Sequence, residues 1–102
     1  MLNQIILVGQ LIKDVEINES SNGRKKSTIE VEVKRNYRDA ETGEYDSDII
    51  KCTLWEGLAE SVVNHCIIGS TIGIKARLQS THENLEVIAE KITFINTRGN
   101  DE

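Results

Sequence analysis

The chain has no proline, and only four of its 102 residues are aromatic: Tyr37, Tyr45, Trp55 and Phe94. The lack of proline argues against a flexible Pro-rich extension. Cysteine is scarce too. Cys52 and Cys66 are the only two, fewer than the paired sets of small secreted domains, so both are read as reduced thiols of a cytoplasmic protein. No apolar run approaches the roughly 20 residues of a membrane span, so no membrane partner is expected. The N-terminal run Ile5 to Val8 has no basic region before it and Gly9 after it, which does not make a secretory signal. A chain of this length suits one compact domain, taken as residues 1–96, with residues 97–102, TRGNDE, as a short frayed tail.

What is present is charge, unevenly spread. The net charge of −5 argues against a phosphate-binding surface, which must supply cations in place of the counterions it displaces. The distribution says otherwise. Six of the twelve basic residues, Arg24, Lys25, Lys26, Lys34, Arg35 and Arg38, fall between positions 24 and 38 against two acids, Glu30 and Glu32. Positions 39 to 48 then carry five acids and no base, which confines any positive field to one side of the segment. Three of the four aromatics sit in this same charged stretch, KRNYRDAETGEYDSDIIKCTLW, from Lys34 to Trp55.

Hydrophobicity mostly alternates with period two, the mark of strands with one buried face. In TIEVEVK, Ile29, Val31 and Val33 face one way; in STIGIKARLQ, Ile72, Ile74, Ala76 and Leu78 face in while Lys75, Arg77 and Gln79 face out. IILV is continuous, so a first strand covered on both sides, by core and by another element or subunit, is expected there. SSNG and DAETGE read as a turn and a longer loop. LEVIAEKITFI reads as a last strand bulged near Ala89, where the apolar parity changes, and with Phe94 in the core. GLAESVVNHCIIG breaks the rule: Leu58, Ala59, Val62, Val63 and Cys66 form a helical stripe, with Gly69 as its C-terminal cap. The expected architecture is all-β: a five-stranded Greek-key OB barrel with one helix between the third and fourth strands, a fold whose sheet face and hairpin loops bind single-stranded nucleic acid or sugars.

The third strand, DIIKCTLWEG, carries the functional signal. Ile50, Cys52 and Leu54 make a core face; Ile49, Lys51, Thr53 and Trp55 fall on the other. A Trp and an Ile beside a Lys on an outer face suit base stacking flanked by cations; the alternative is that Trp55 closes the barrel bottom or packs on the helix. Tyr37, ending the second strand beside Lys34, Arg35 and Arg38, either presents a ring to a ligand or caps the barrel edge. Tyr45 is read as folding the acidic loop back on the sheet. Lys51, Lys75 and Arg77 are each either phosphate contacts or solvated charges. Enzyme readings fare poorly. Cys52, His65, Cys66 and His82 lack metal-site spacing, so no metal and no cofactor is expected. Cys66 adjoins His65 on a helix, where neighbours point apart, so no catalytic residue is assigned.

The stretches NQIILVGQLIKD, NYRDAETGEYDSDIIKCTLWEGLAE and GSTIGIKARL resemble, in order and spacing, the bacterial and phage single-stranded DNA-binding proteins, from Leu2 to Ile95. The resemblance implies an OB-fold homotetramer, or a dimer, that binds single-stranded DNA without sequence preference in replication, recombination and repair, associated with the nucleoid. It also implies that Tyr37 and Trp55 stack, that Ile49 stands where many members have Trp, and that Asn3 to Ile6 pairs across a subunit interface. The leading reading lays the DNA strand along the outer sheet face, on Tyr37, Ile49 and Trp55, with the outward cations Lys34, Arg35, Arg38, Lys51, Lys75 and Arg77 as its backbone track. Departures are Val15 where Pro is common, Glu56 and Ala76 where Gly is usual, and His82 and Glu83 near a position that often holds another aromatic. The family typically continues into a linker and an acidic tip that recruits partner enzymes; residues 1–102 do not include that tip, and replication proteins stay open as partners. A second reading is an OB-fold adaptor of a primosome-like complex with weak DNA binding, favoured by Ile49, Glu56 and the acidic loop.

Overall fold

In the computed structural model, which describes residues 2–82 and 84–96, the chain forms six strands and one helix. They are β1 (Ile5–Leu11), β2 (Asn18–Glu19), β3 (Lys25–Arg38), β4 (Tyr45–Trp55), α1 (Glu56–His65), β5 (Thr71–Thr81) and β6 (Asn84–Asn96). Neighbours run β1-β5-β6-β4-β3, and β1 pairs β3 through Gln10–Glu32 and Leu11–Val31, closing a five-stranded barrel. β4 and β6 are parallel at Cys52–Val87 and Thr53–Ile88; the other pairs are antiparallel. This is the expected OB barrel, with the helix between the third and fourth long strands. The sixth strand, β2, pairs Asn18 and Glu19 with Lys26 and Lys25, so SSNG turns a small hairpin rather than linking the first two barrel strands. Gly23 takes φ 84 in that turn, where a side chain would be strained.

The alternating residues fill the barrel. Ile29, Val31, Cys52, Leu54, Ile72, Ile74 and Ala76 are buried, joined by Leu11 and by Ala59 and Val62 of α1. Where β1 passes over β3 the fit is tight: a Cβ on Gly9 would lie 2.5 Å from the Glu32 carbonyl oxygen and 3.1 Å from Val33 Cγ2. Burial pushes the Cys52 thiol up to about 11 and raises Cys66, which a hydrogen bond with Ser70 partly opposes. Both stay protonated at neutral pH, and thiol reagents are expected to modify them slowly in the folded chain and rapidly in denaturant.

Three sequence expectations change. Helix α1 stops at His65, where the Cys66 amide donates to the Val62 carbonyl at 2.9 Å. Gly69, at φ 94, instead turns the chain into β5 and donates its amide to the Leu11 carbonyl at 2.9 Å. Phe94 is 37 % exposed: it sits opposite Ile72 near the end of β6, where the His65 ring, centroid 5.4 Å away, lies beside it at the barrel's rim. Leu78 is exposed because the β5–β6 hairpin outruns the barrel wall. In β1, Ile5 and Leu7 face in while Ile6 and Val8 are exposed, with no element among the described residues covering them, so of the two covers expected there a subunit is the one left. The β6 bulge falls beside Ala89 as expected, with Lys75 opposite Lys91 and Ala76 opposite Ala89. Glu83 and the tail 97–102 lie outside the described residues. No helix among those described is long and apolar enough to cross a membrane.

Candidate nucleic-acid interface

The β3–β4 ladder sets one outer wall. Its pairs Lys26–Trp55, Thr28–Thr53, Glu30–Lys51, Glu32–Ile49 and Lys34–Ser47 all face away from the core set, because Ser27, Ile29 and Val31 pair with Leu54, Cys52 and Ile50 on the inner side. Trp55, Ile49 and Lys51 therefore share a wall. Ile49 is 52 % exposed and Trp55 half-buried. Thr53 keeps its outward register but is buried, because β6 runs alongside and its hydroxyl donates to Glu86 Oε2 at 3.3 Å.

Trp55 does not stand bare. The Arg24 guanidinium carbon lies 4.3 Å from its ring centroid and Lys26 Nζ 5.4 Å away, both within cation–π reach. Arg24 and Lys26 continue the parity of Thr28 and Glu30 past the start of the TIEVEVK alternation. That parity was the signal that could have named them. Glu56, directly after Trp55, takes φ 52 and ion-pairs with Arg24 at 3.1 Å.

At the far end, the wall runs into the β3–β4 hairpin. At about 3.3 Å per residue, Tyr37 stands roughly 35 Å along β3 from Lys26. Tyr37 is 61 % exposed. Tyr45 opens β4 rather than lying in the loop, is 50 % exposed and has the Arg38 guanidinium 5.4 Å from its ring. Asp39 closes the turn by accepting from the Glu41 and Thr42 amides, and these bonds hold its carboxyl below the usual range.

The cations differ in availability. Lys34, Arg38 and Lys51 are exposed and make no ion pair among the described residues. Arg35 is held in a two-pronged pair by Asp48, Nη2 donating to Oδ1 at 2.7 Å and Nε to Oδ2 at 3.1 Å, with Asp46 at 3.9 Å. The hydrogen bond with Arg35 holds the Asp48 carboxyl below its ordinary range and raises the guanidinium. A depressed folded-state pKa means that this pair supports the fold above the ordinary aspartate value of about 3.9 and stops doing so as pH falls through the lowered one. In a carboxyl-resolved NMR titration the Asp48 midpoint is expected below 3.9, and Arg35→Ala should return it toward that value. Lys75 and Arg77 are not brought to this wall: β5 is separated from β4 by β6 and from β3 by β1. Arg77 is also engaged by Glu90 at 3.3 Å and by Gln79 at 2.5 Å.

Two acids sit mid-wall. Glu30 pairs with Lys13 at 3.2 Å opposite Lys51, while Glu32, opposite Ile49, has no ion pair among the described residues. No group of His, Cys, Asp and Glu among those residues could hold a metal ion.

The sequence model of the Single-strand binding protein family matches residues 2–95. The chain belongs to this family. It is 33 % identical to Single-stranded DNA-binding protein B of Bacillus subtilis over 96 % of this chain and 94 % of that one. It is 31 % identical to Single-stranded DNA-binding protein 3 of Streptococcus agalactiae over 100 % and 80 %, and 36 % identical to Single-stranded DNA-binding protein A of Bacillus subtilis over 93 % and 60 %.

Proposed function

We propose that this chain binds single-stranded DNA without sequence preference along the outer β3–β4 wall, as a non-enzymatic protein serving replication, recombination and repair. Trp55 and Tyr37 stack bases, Ile49 offers a weaker aliphatic surface between them, and Lys34, Arg38 and Lys51 follow the phosphates. Arg35 joins them only when released from Asp48. Lys75 and Arg77 contribute only where the strand wraps past the first wall. The observation that carries the reading is the sharing of one outward wall by Trp55, Ile49 and Lys51 in a chain of this family.

The same reading includes a homo-oligomer. The Ile5–Val8 edge turned away from β5 has no strand partner among the described residues, since β1 meets β3 only at Gln10 and Leu11. The Asn3 side chain meanwhile extends the β1–β5 pairing by bonding the Leu78 backbone twice at 2.8 Å. A free edge flanked by exposed Ile6, Val8 and Ile95 suits pairing with a second copy; sedimentation equilibrium should then return a dimer or tetramer mass.

The test of the binding mode is fluorescence anisotropy with end-labelled oligo-dT against a duplex of equal length. Single-strand binding that weakens with salt is expected, with the duplex far weaker. Equal binding of both, or none at low salt, would reject the reading and favour the protein-adaptor alternative. In the same assay Glu32→Gln is expected to tighten binding by about 1 kcal/mol, roughly fivefold, the size of one repulsion between unit charges at ~4 Å in water.

A further inference from the structure

We propose that Arg24 and Glu56 form a latch on Trp55, so that this ring is not a free platform but one whose covering cation must move before a base can take its place. The inference rests on the single-strand reading above and adds a control to it. Three contacts build the latch. The Arg24 guanidinium carbon lies 4.3 Å from the ring centroid, over the face a stacked base would need. Glu56 Oε2 holds Arg24 Nε at 3.1 Å. The Arg24 main chain is fixed by the preceding turn, its carbonyl accepting from the Ser20 amide at 2.8 Å and its amide donating to Ser20 Oγ at 3.2 Å. The side chain can therefore swing while its root stays in place.

The charges decide what moves it. Arg24 gains a cation–π contact and an exposed ion pair in the free protein, each a weak interaction. A phosphate entering beside Trp55 offers the guanidinium a stronger, two-pronged partner. Arg24 then transfers from the ring to the backbone of the strand and the base occupies the vacated face. Glu56 opposes this transfer in two ways: it competes for Arg24 and it repels the phosphate. It is thus a positioning residue that sets the threshold for stacking on Trp55. Lys26, 5.4 Å from the ring and without an ion pair among the described residues, stays as the cation that flanks the stacked base.

Glu60 supplies the control, because it pairs with Lys25 one turn along α1 and makes no contact with the ring among those described. Acrylamide quenching of Trp55 in the DNA-free protein, the chain's single tryptophan, reads the latch directly; oligo-dT affinity reads its consequence. Glu56→Gln is expected to raise the quenching constant toward that of Arg24→Gln and to tighten oligo-dT binding by up to roughly fivefold, the upper end for losing one exposed ion pair. Glu60→Gln should leave quenching unchanged and alter affinity by less than about twofold. In an Arg24→Gln background the extra effect of Glu56→Gln on quenching should vanish, and its effect on affinity should shrink to the part due to phosphate repulsion. Equal quenching in Glu56→Gln and Glu60→Gln, or a Glu56→Gln effect on quenching that survives without Arg24, would overturn the latch while leaving DNA binding intact. Failure of every variant, and of the parent, to bind oligo-dT would overturn the single-strand reading itself. Thermal melts of each variant confirm that folded proteins are compared.

Discussion

Gly9→Ala is expected to lower the melting temperature by roughly 8–16 °C, the effect of about 2 kcal/mol in a domain of this size. The added methyl would lie 2.5 Å from the Glu32 carbonyl oxygen, a backbone atom that no rotamer change can remove. β1 meets β3 only over Gln10–Glu32 and Leu11–Val31, so a shift at Gly9 loosens the one contact that turns the sheet into a barrel. The damage should reach the binding wall, because Glu32 also pairs with Ile49. Differential scanning calorimetry measures the loss, and faster labelling of Cys52, fully buried inside the barrel, would report it independently. An unchanged melting temperature would mean that the closure is not where the barrel's stability resides. Gly73, by contrast, has its nearest neighbours at 3.7 Å, and Ala there should be accepted.

Trp55→Ala is expected to weaken oligo-dT binding by about 1–3 kcal/mol, roughly 5- to 150-fold, the range for losing one stacked base. The melting temperature should move far less than in Gly9→Ala. Trp55 lies outside the buried cluster and its ring meets Arg24 and Lys26 rather than core side chains. Tyr37→Ala, at a ring 61 % exposed, should show the same separation with a smaller loss of affinity. A collapse of stability in either variant would show that the ring served the fold after all. Trp55→Phe, which keeps a stacking face, should recover much of the lost affinity.

Period-two alternation made most of this molecule legible. It assigned the inner faces of β3, β4 and β5, and it put Ile49, Lys51 and Trp55 on one wall, because cross-strand pairing preserves parity. It could not say which wall of a closed barrel a residue occupies. Lys75 and Arg77 face outward as expected, yet β1 and β6 separate them from β3 and β4. Hydrophobicity alone also misjudged Phe94, which keeps its inward register but lies near the end of β6 at the rim. β2 was invisible because two polar residues carry no periodicity. The pairing of Arg35 with Asp48 spans 13 positions and appears only once the hairpin register is known. The Trp55 latch depended on a backbone turn, Glu56 at φ 52, at a position where the family resemblance leads one to expect glycine.

In the proposed binding mode Trp55 stacks on single-stranded DNA, on a wall held by cations. The most direct test of this mode is a titration of the protein with oligo-dT, following the emission of this single tryptophan at low and at high salt. Strong quenching that saturates at low salt, with a midpoint moving to higher oligonucleotide concentration as salt rises, is the predicted result. Saturable binding by anisotropy with no change in Trp55 emission would contradict it, by showing that the strand lies elsewhere on the barrel.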